Sequence, residues 1–263
     1  MKAERVSGNM LLNRDLVGGA ALLAILALVL GQLGLFDGAR LAKGLSNLVI
    51  FVQGTMPPDQ DVLPIAAMAL LETVEMAFAG SLLGFFLALP LGFLGARTLS
   101  PAPVVIVIRF VIGAIRTIPS LLWAVVFVIV VGLGPLAGTL ALALYTLGYL
   151  AKLYAEFFEG VDPEILEAVR GVGARPWHLA RFVVWPESAN HVLSQLLFML
   201  EYNIRASAIL GFVGAGGIGL YLNVYINTLA YPRVATILLL ILVLVLAMDV
   251  ISTKVRKRYL LNA

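Results

Sequence analysis

Glu201 and Arg205 put an acid and a base four residues apart inside an apolar stretch, with the acid first, the favourable order on a helix. A lone arginine at the bilayer centre costs about 2.5–3.5 kcal/mol on insertion scales, so such a residue pairs or faces water. Two roles stay open: an ion pair that locks helices together, or an arginine that faces a pore and favours an anion. Counted along a straight helix from Ser188, Arg205 stands about 25 Å up, in the outer part of a bilayer. Gly211–Gly219 follows, reading GFVGAGGIG and containing Gly214-x-Gly216-x-x-Gly219, the spacing of a dinucleotide fingerprint. That motif works between a strand and a helix with an acid about 20 residues on. Here it follows an apolar run and the next acid is Asp249, so the glycines read instead as a turn or re-entry. Irregular backbone at membrane depth is buried in protein or lines a cavity. Gly214, Gly216 and Gly217 are therefore pore or gate candidates, with Thr117, Ser120, Asn203, Arg205 and Ser207.

A second constellation lies in a polar insert. Asp162-Pro163-Glu164 is a helix start: an Asp cap, proline at the first helical position and a carboxylate at the positive helix end. Ile165, Leu166 and Val169 then fall on one face, and Gly171 and Gly173 stop the helix. Arg175-Pro176 opens a second short helix leading to Trp185-Pro186. Two helices around a glycine turn, with an apolar stripe, suggest a surface for a partner groove. Packing of an ordinary loop on its own bundle is the other reading.

The elements around these residues are membrane spans. The chain of 263 residues is 61% hydrophobic and 13% charged, where soluble domains carry about 25% charged residues. The composition predicts an all-α polytopic membrane protein of about six transmembrane helices. These are expected at Leu16–Phe36, Leu71–Ala96, Thr117–Val131, Thr139–Ala151, Ser188–Val213 and Val234–Thr253. Leu41–Val52 and Pro101–Arg116 read as interfacial or partly inserted helices. Met1–Asp15 with the first apolar run reads as a signal anchor, Gly31-Gln32-Leu33 being a poor cleavage site. No second domain is visible, so residues 1–263 read as a single transmembrane domain with a polar segment at 152–187. Cysteine is absent, which excludes disulfide and thiolate chemistry, and the net charge of +3 is too small and dispersed for nucleic-acid binding. With both termini cytoplasmic, fourteen of the 18 Lys and Arg residues fall inside, and only Arg40, Lys43 and Arg233 outside. Cytoplasmic loops collect such residues, which puts the polar insert in the cytoplasm.

Glu167-Ala168-Val169, Gly173, Val183 and Trp185-Pro186 resemble the coupling loop of binding-protein-dependent ABC importer permeases, E-A-A-x3-G-x9-I-x-L-P. Val169 for the second Ala and Trp185 for Leu are departures that keep apolar character. Pro57-Pro58-Asp59, Arg116-Thr117-Ile118-Pro119, Val131–Gly138 and Asn203–Gly219 are similar to the phosphonate and phosphite branch. The resemblance implies a type I (MetI-like) permease fold in the bacterial inner membrane. The cargo it implies is phosphonate, phosphite or a related phosphorus oxyanion. It also implies a second copy of the chain, two ATP-binding subunits and an extracytoplasmic binding protein. Asp162, Glu164, Ile165, Glu167, Ala168, Gly173 and Pro186 would couple to the ATPase. ATP and magnesium are then used by the partner, and no cofactor by this chain, which has no G-x4-G-K-[ST]. Two alternatives stand: an ABC permease for another solute such as an amino acid, and an ion-coupled secondary transporter. The second needs carboxylates in the spans, where Glu201 has a partner and Asp249 lies near an end.

Overall fold

In hydrocarbon a backbone satisfies its own N–H and C=O groups only as a helix or a closed barrel. The computed structural model describes residues 3–259, with side chains for 16–258, and every regular element among them is helical. The chain divides into two units, Met1–Met56 and Pro57–Ala263. The first holds α1 (Ala3–Gln32) and α2 (Gly38–Gly54). The chain turns between them at Gly34, whose φ is +81°. Asp37 caps α2 by accepting the Arg40 N–H at 3.0 Å. The apolar part of α1, Leu16–Gln32, is 17 residues, about 25 Å against the ~30 Å of a bilayer core. Lys2 lies outside the described residues, as do the side chains of Arg5 and Arg14.

The second unit holds α3 (Leu63–Gly95), α4 (Ala102–Thr117), α5 (Ser120–Val131), α6 (Pro135–Glu159) and α7 (Pro163–Gly171). It continues with α8 (Pro176–Leu179), a π-turn over Ala180–Val184, α9 (Trp185–Leu210), α10 (Ile218–Asn227) and α11 (Tyr231–Tyr259). Four helices among the described residues are long and apolar enough to cross a membrane, or five if α4 and α5 make one broken span. The expected count of six is therefore approximate. Its third member, Thr117–Val131, is corrected: α4 and α5 bend by 88° at Ile118-Pro119. The residue before proline avoids the α region, and Ile118 sits extended at φ −97°, ψ 119°. The fourth is longer than Thr139–Ala151, because α6 runs on to Glu159 through the Lys152–Glu156 pair at 3.3 Å. The first residues of the polar insert, Lys152 to Glu159, are thus part of α6. The fifth begins upstream of Ser188, since Pro176–Val213 is one helical run. Proline at 186 does not end it: Trp185 N–H bonds Ala180 O in the π register just before, and a proline in the following first turn has no helical bond to lose.

Small residues set the main helix contact. A Cβ at Gly80 would come within 2.7 Å of Leu142 Cβ, one at Gly84 within 2.7 Å of Ala143 O, and one at Gly92 within 2.7 Å of Tyr154 Cβ. Lipid tails give helices no hydrophobic reason to associate, so this close approach supplies the packing of α3 on α6. Gly84→Leu should therefore abolish recovery of monodisperse protein from detergent. Gly113→Ala, with nothing within 4 Å of the new Cβ, should leave it unchanged. Equal recovery of both variants would contradict this packing. Phe85, Tyr154, Phe158, Leu179, Val184 and Met199 fill the core beside it.

The turn before α3 is tied to the start of α11. Arg233 Nε meets Asp59 Oδ2 at 3.0 Å, and the Thr236 hydroxyl donates to Asp59 O at 2.7 Å. The Asp61 N–H, then Arg233, hold the Asp59 carboxyl below its ordinary 3.8. A depressed carboxylate pKa contributes above the ordinary value and is lost as pH falls below it. Hydrogen exchange of residues 59–63 should thus be flat from neutral pH to about 5, after correction for intrinsic rates, and should open below 3.8. Opening near pH 6 would contradict the tie.

Candidate functional site

The helix α7 is short and carries its own cap. Asp162 Oδ1 accepts the Glu164 N–H at 2.9 Å, Pro163 fills the first helical position, and Glu164 lies in the first turn. Leu166 is buried and Val169 half-buried, both against the core that holds Tyr154, Phe158 and Leu179. This corrects the expectation that Ile165, Leu166 and Val169 share an outward stripe: Leu166 lies about 100° around the helix from Ile165. What stays outside is Ile165, Ala168 and Val172, at i, i+3 and i+7, with Glu164 and Glu167 beside them. Trp177 and Phe182 are also exposed, at 68% and 65%. The chain reverses at Gly173, not at Gly171, which is still helical. Gly173 has φ +85° and its N–H donates to Arg170 O at 2.9 Å. Nothing lies within 4 Å of a Cβ placed there. Within this chain only backbone conformation requires glycine.

The helix is braced from behind by long-range contacts that no local pattern announces. Arg170 Nη2 donates to Thr98 O at 2.6 Å. The Thr98 hydroxyl donates to Phe158 O at 3.2 Å, and the Arg97 N–H to Glu159 Oε1 at 2.6 Å. Glu159 also pairs with Arg109 Nη2 at 2.7 Å, while Arg109 Nε donates to Gly95 O at 2.9 Å. The α3–α4 loop, the end of α6 and α7 are thereby one tied assembly. Arg109, Glu159 and Arg170 were missed as a set because 50 to 72 residues separate the partners.

The second constellation is on α9. Glu201 Oε1 and Arg205 Nη1 meet at 2.9 Å, with the acid side chain 11% exposed and the arginine 45%. Arg205 opens onto a cleft of about 230 Å³ with Pro119, Ser120, Tyr202 and Ile209. Of the pore candidates, the structure brings Ser120 and Arg205 together. Asn203 and Ser207 fall on the opposite face of α9, about 160° and 200° from Arg205, and both are fully buried. Asn203 Nδ2 donates to Ser81 Oγ and Thr146 Oγ1, both at 2.8 Å, joining α3, α6 and α9. The Ser207 hydroxyl bonds its own helix at Ile204 O. Thr117 is exposed, its hydroxyl turned back to Ala114 O at 2.7 Å, and it does not line the cleft.

The glycine loop is held by a carboxylate. Gly214, Gly216 and Gly217 have φ of +85°, +82° and +70°. Gly216 and Gly217 are buried against α3 and the α5–α6 turn. Glu72 Oε1 accepts the Gly217 N–H at 3.0 Å, and Thr73 Oγ1 the Ile218 N–H at 2.8 Å. Two residues of α3 thus cap α10, which has no side-chain cap of its own. No strand precedes the loop, so the fingerprint lacks its context. Glu72 and its exposed neighbour Glu75 were missing from the tally of acids in the spans, though an acid inside an apolar stretch is itself a signal. Glu72→Ala should loosen the loop by the worth of a charged cap, about 0.5–2 kcal/mol. Faster hydrogen exchange at residues 214–219 checks it, and unchanged exchange contradicts it.

A short capped helix with an exposed apolar strip is thus tied to the α3–α4 loop, and that loop to the end of α6. The family model for the binding-protein-dependent transport system inner membrane component matches residues 88–260. The chain belongs to this family. The permease is 35% identical over 247 residues to the phosphite transport system permease protein PtxC of Stutzerimonas stutzeri, covering 94% of this chain and 90% of that one. It is 36% identical over 242 residues to the phosphate-import permease protein PhnE of Mycolicibacterium smegmatis, covering 91% of this chain and 44% of that longer one. Among solved structures, the inward-facing MetNI methionine ABC transporter matches with TM-score 0.66 at 23% identity, over 76% of this chain and 98% of that one. That likeness concerns the fold: the permease has the type I importer architecture. It is a multi-pass inner-membrane component of an ABC importer, and ATP hydrolysis belongs to another subunit of such systems.

Proposed function

We propose that the permease translocates phosphite, phosphonate or a related phosphorus oxyanion delivered by an extracytoplasmic binding protein. The similarity to PtxC over nearly the full length of both chains carries this reading. The Ser120–Arg205 cleft supports it, since a guanidinium stays charged when partly desolvated and its planar fork meets two oxygens of an oxyanion. The working unit is two copies of this chain with two ATP-binding subunits, with both termini cytoplasmic. ATP and magnesium bind the partner. Exposed Ile165, Ala168 and Val172 enter a groove of the ATPase, and Glu164 and Glu167 meet basic or amide groups at its rim. ATP binding closes the ATPase dimer and moves α7 as a rigid lever, because Arg170 and Glu159 tie it to α3, α4 and α6. The spans then open outward, and hydrolysis resets them inward. The acid at position 72 does not favour ion coupling, since its carboxylate is spent on the α10 cap.

Proteoliposomes with the permease, its ATPase and its binding protein test the cargo. Phosphite or methylphosphonate should accumulate with ATP on the coupling-segment side. Uptake of methionine without any phosphorus oxyanion would overturn the cargo and leave the importer reading standing.

A further inference from the structure

Along the second half of α6, between Gly148 and Glu156, three cations converge on one cleft beside α4. Arg109, Gly113 and Arg116 of α4 face Lys152 and Glu156 of α6 around a space of about 170 Å³. At about 30 Å³ per water in the liquid, that volume takes a phosphate group with a water or two. The charges there are not balanced internally. Arg109 is paired with Glu159 and Lys152 with Glu156, whereas Arg116 makes no ion pair among the described residues. Its stem is positioned by α6: a Cβ at Gly148 would meet Arg116 Cγ at 2.9 Å, so only glycine leaves the arginine room to lie there. An exposed guanidinium without an acidic partner among the described residues thus lines the cleft beside two cations that are paired.

The face of α4 next to this row is apolar and uncovered. Ile106, Val107 and Phe110 are 69%, 60% and 75% exposed. They lie between about 60° and 160° around the helix from Arg109. A row of cations along the edge of an exposed apolar strip is what a phospholipid presents in complement: a phosphate above, hydrocarbon beside it. Basic pockets between membrane helices bind acidic headgroups for this reason. Lys152 stands seven residues before the end of α6, about 10 Å along the axis. Long basic side chains at that depth reach the interface with their stems in hydrocarbon.

We propose that this cleft binds a phosphate group, supplied by the headgroup of an anionic phospholipid whose chains lie along the exposed face of α4. Arg116 and Lys152 contact the phosphate, and Arg109 stays on Glu159. The headgroup then steadies the α3–α4 loop, to which α7 is tied through Arg170 and Thr98. The inference rests on the membrane placement of the permease and is independent of its cargo. It makes coupling sensitive to the lipid around the bundle.

The assembled importer in phosphatidylcholine nanodiscs, with and without one third phosphatidylglycerol, separates the possibilities. Hydrogen exchange at residues 109–117 and 152–160 should slow severalfold with phosphatidylglycerol. Arg116→Gln with Lys152→Gln should remove that slowing while matching the wild type in pure phosphatidylcholine. Arg116→Lys with Lys152→Arg should keep it, which shows that the charge and not the fold was lost. Millimolar inorganic phosphate in pure phosphatidylcholine should do little. Protection by phosphate but not by phosphatidylglycerol would overturn the lipid as the source. Protection by neither, or equal protection in the Gln variant, would overturn the site.

Discussion

Gly173→Asp should leave the permease folded in the membrane and remove its ATPase from the purified complex, with uptake falling to background. The structure separates the two effects. Nothing within 4 Å meets a side chain at this position, and aspartate is among the residues that best tolerate left-handed backbone. The internal cost is thus about 1–2 kcal/mol, that of an L-residue in left-handed backbone. Outside the chain the change sets a new carboxylate next to Val172, 85% exposed, on the face proposed to enter the ATPase. An uncompensated charge in a closing interface costs several kcal/mol, enough for complete dissociation at ordinary concentrations. Val172→Asp, with no change of φ, should do the same. Normal ATPase recovery with normal uptake in both variants would contradict the assignment of α7.

The second large effect concerns Glu201 and Arg205. Removing one member leaves a charge without its partner and confuses stability with transport, so the pair is best neutralised together. Glu201→Gln with Arg205→Gln should fold and assemble, because two amides four residues apart can still bond. If Arg205 meets the oxyanion in its cleft, uptake should drop about tenfold or more, since a charged hydrogen bond is worth about 1.5–3 kcal/mol. ATP hydrolysis should stay responsive to the binding protein. If the pair is only a strut, the double variant should transport at nearly the wild-type rate. The exposures favour the first outcome: the arginine is open at 45% while the acid is covered at 11%.

Much of this was legible because the signals are local. The cap at Asp162, the proline after it and the i, i+4 pair at Glu201 and Arg205 follow from spacing alone, and the structure has each. The opposite placement of Asn203 and Ser207 was also readable, since helical angles put them across from Arg205. Other features depend on chain folded back from far away. Glu72 meets Gly217 across 145 residues, and Arg170 meets Thr98 across 72. Nothing in either segment marks the other. Helix ends were misjudged where two effects compete. The apolar run stops before Lys152, yet α6 continues because Lys152 and Glu156 support another turn. At Pro186 a proline reads as a stop, but the π-turn before it removes the bond that proline would break.

ATP-dependent uptake in a defined system tests the central claim most directly. The permease, its ATPase and its binding protein are reconstituted in sealed liposomes, with phosphite outside and nucleotide inside on the coupling-segment side. Accumulation should require ATP, stop with a non-hydrolysable analogue, and survive ionophores that collapse proton and sodium gradients. Uptake by this chain alone, driven by such a gradient and indifferent to ATP, would contradict it.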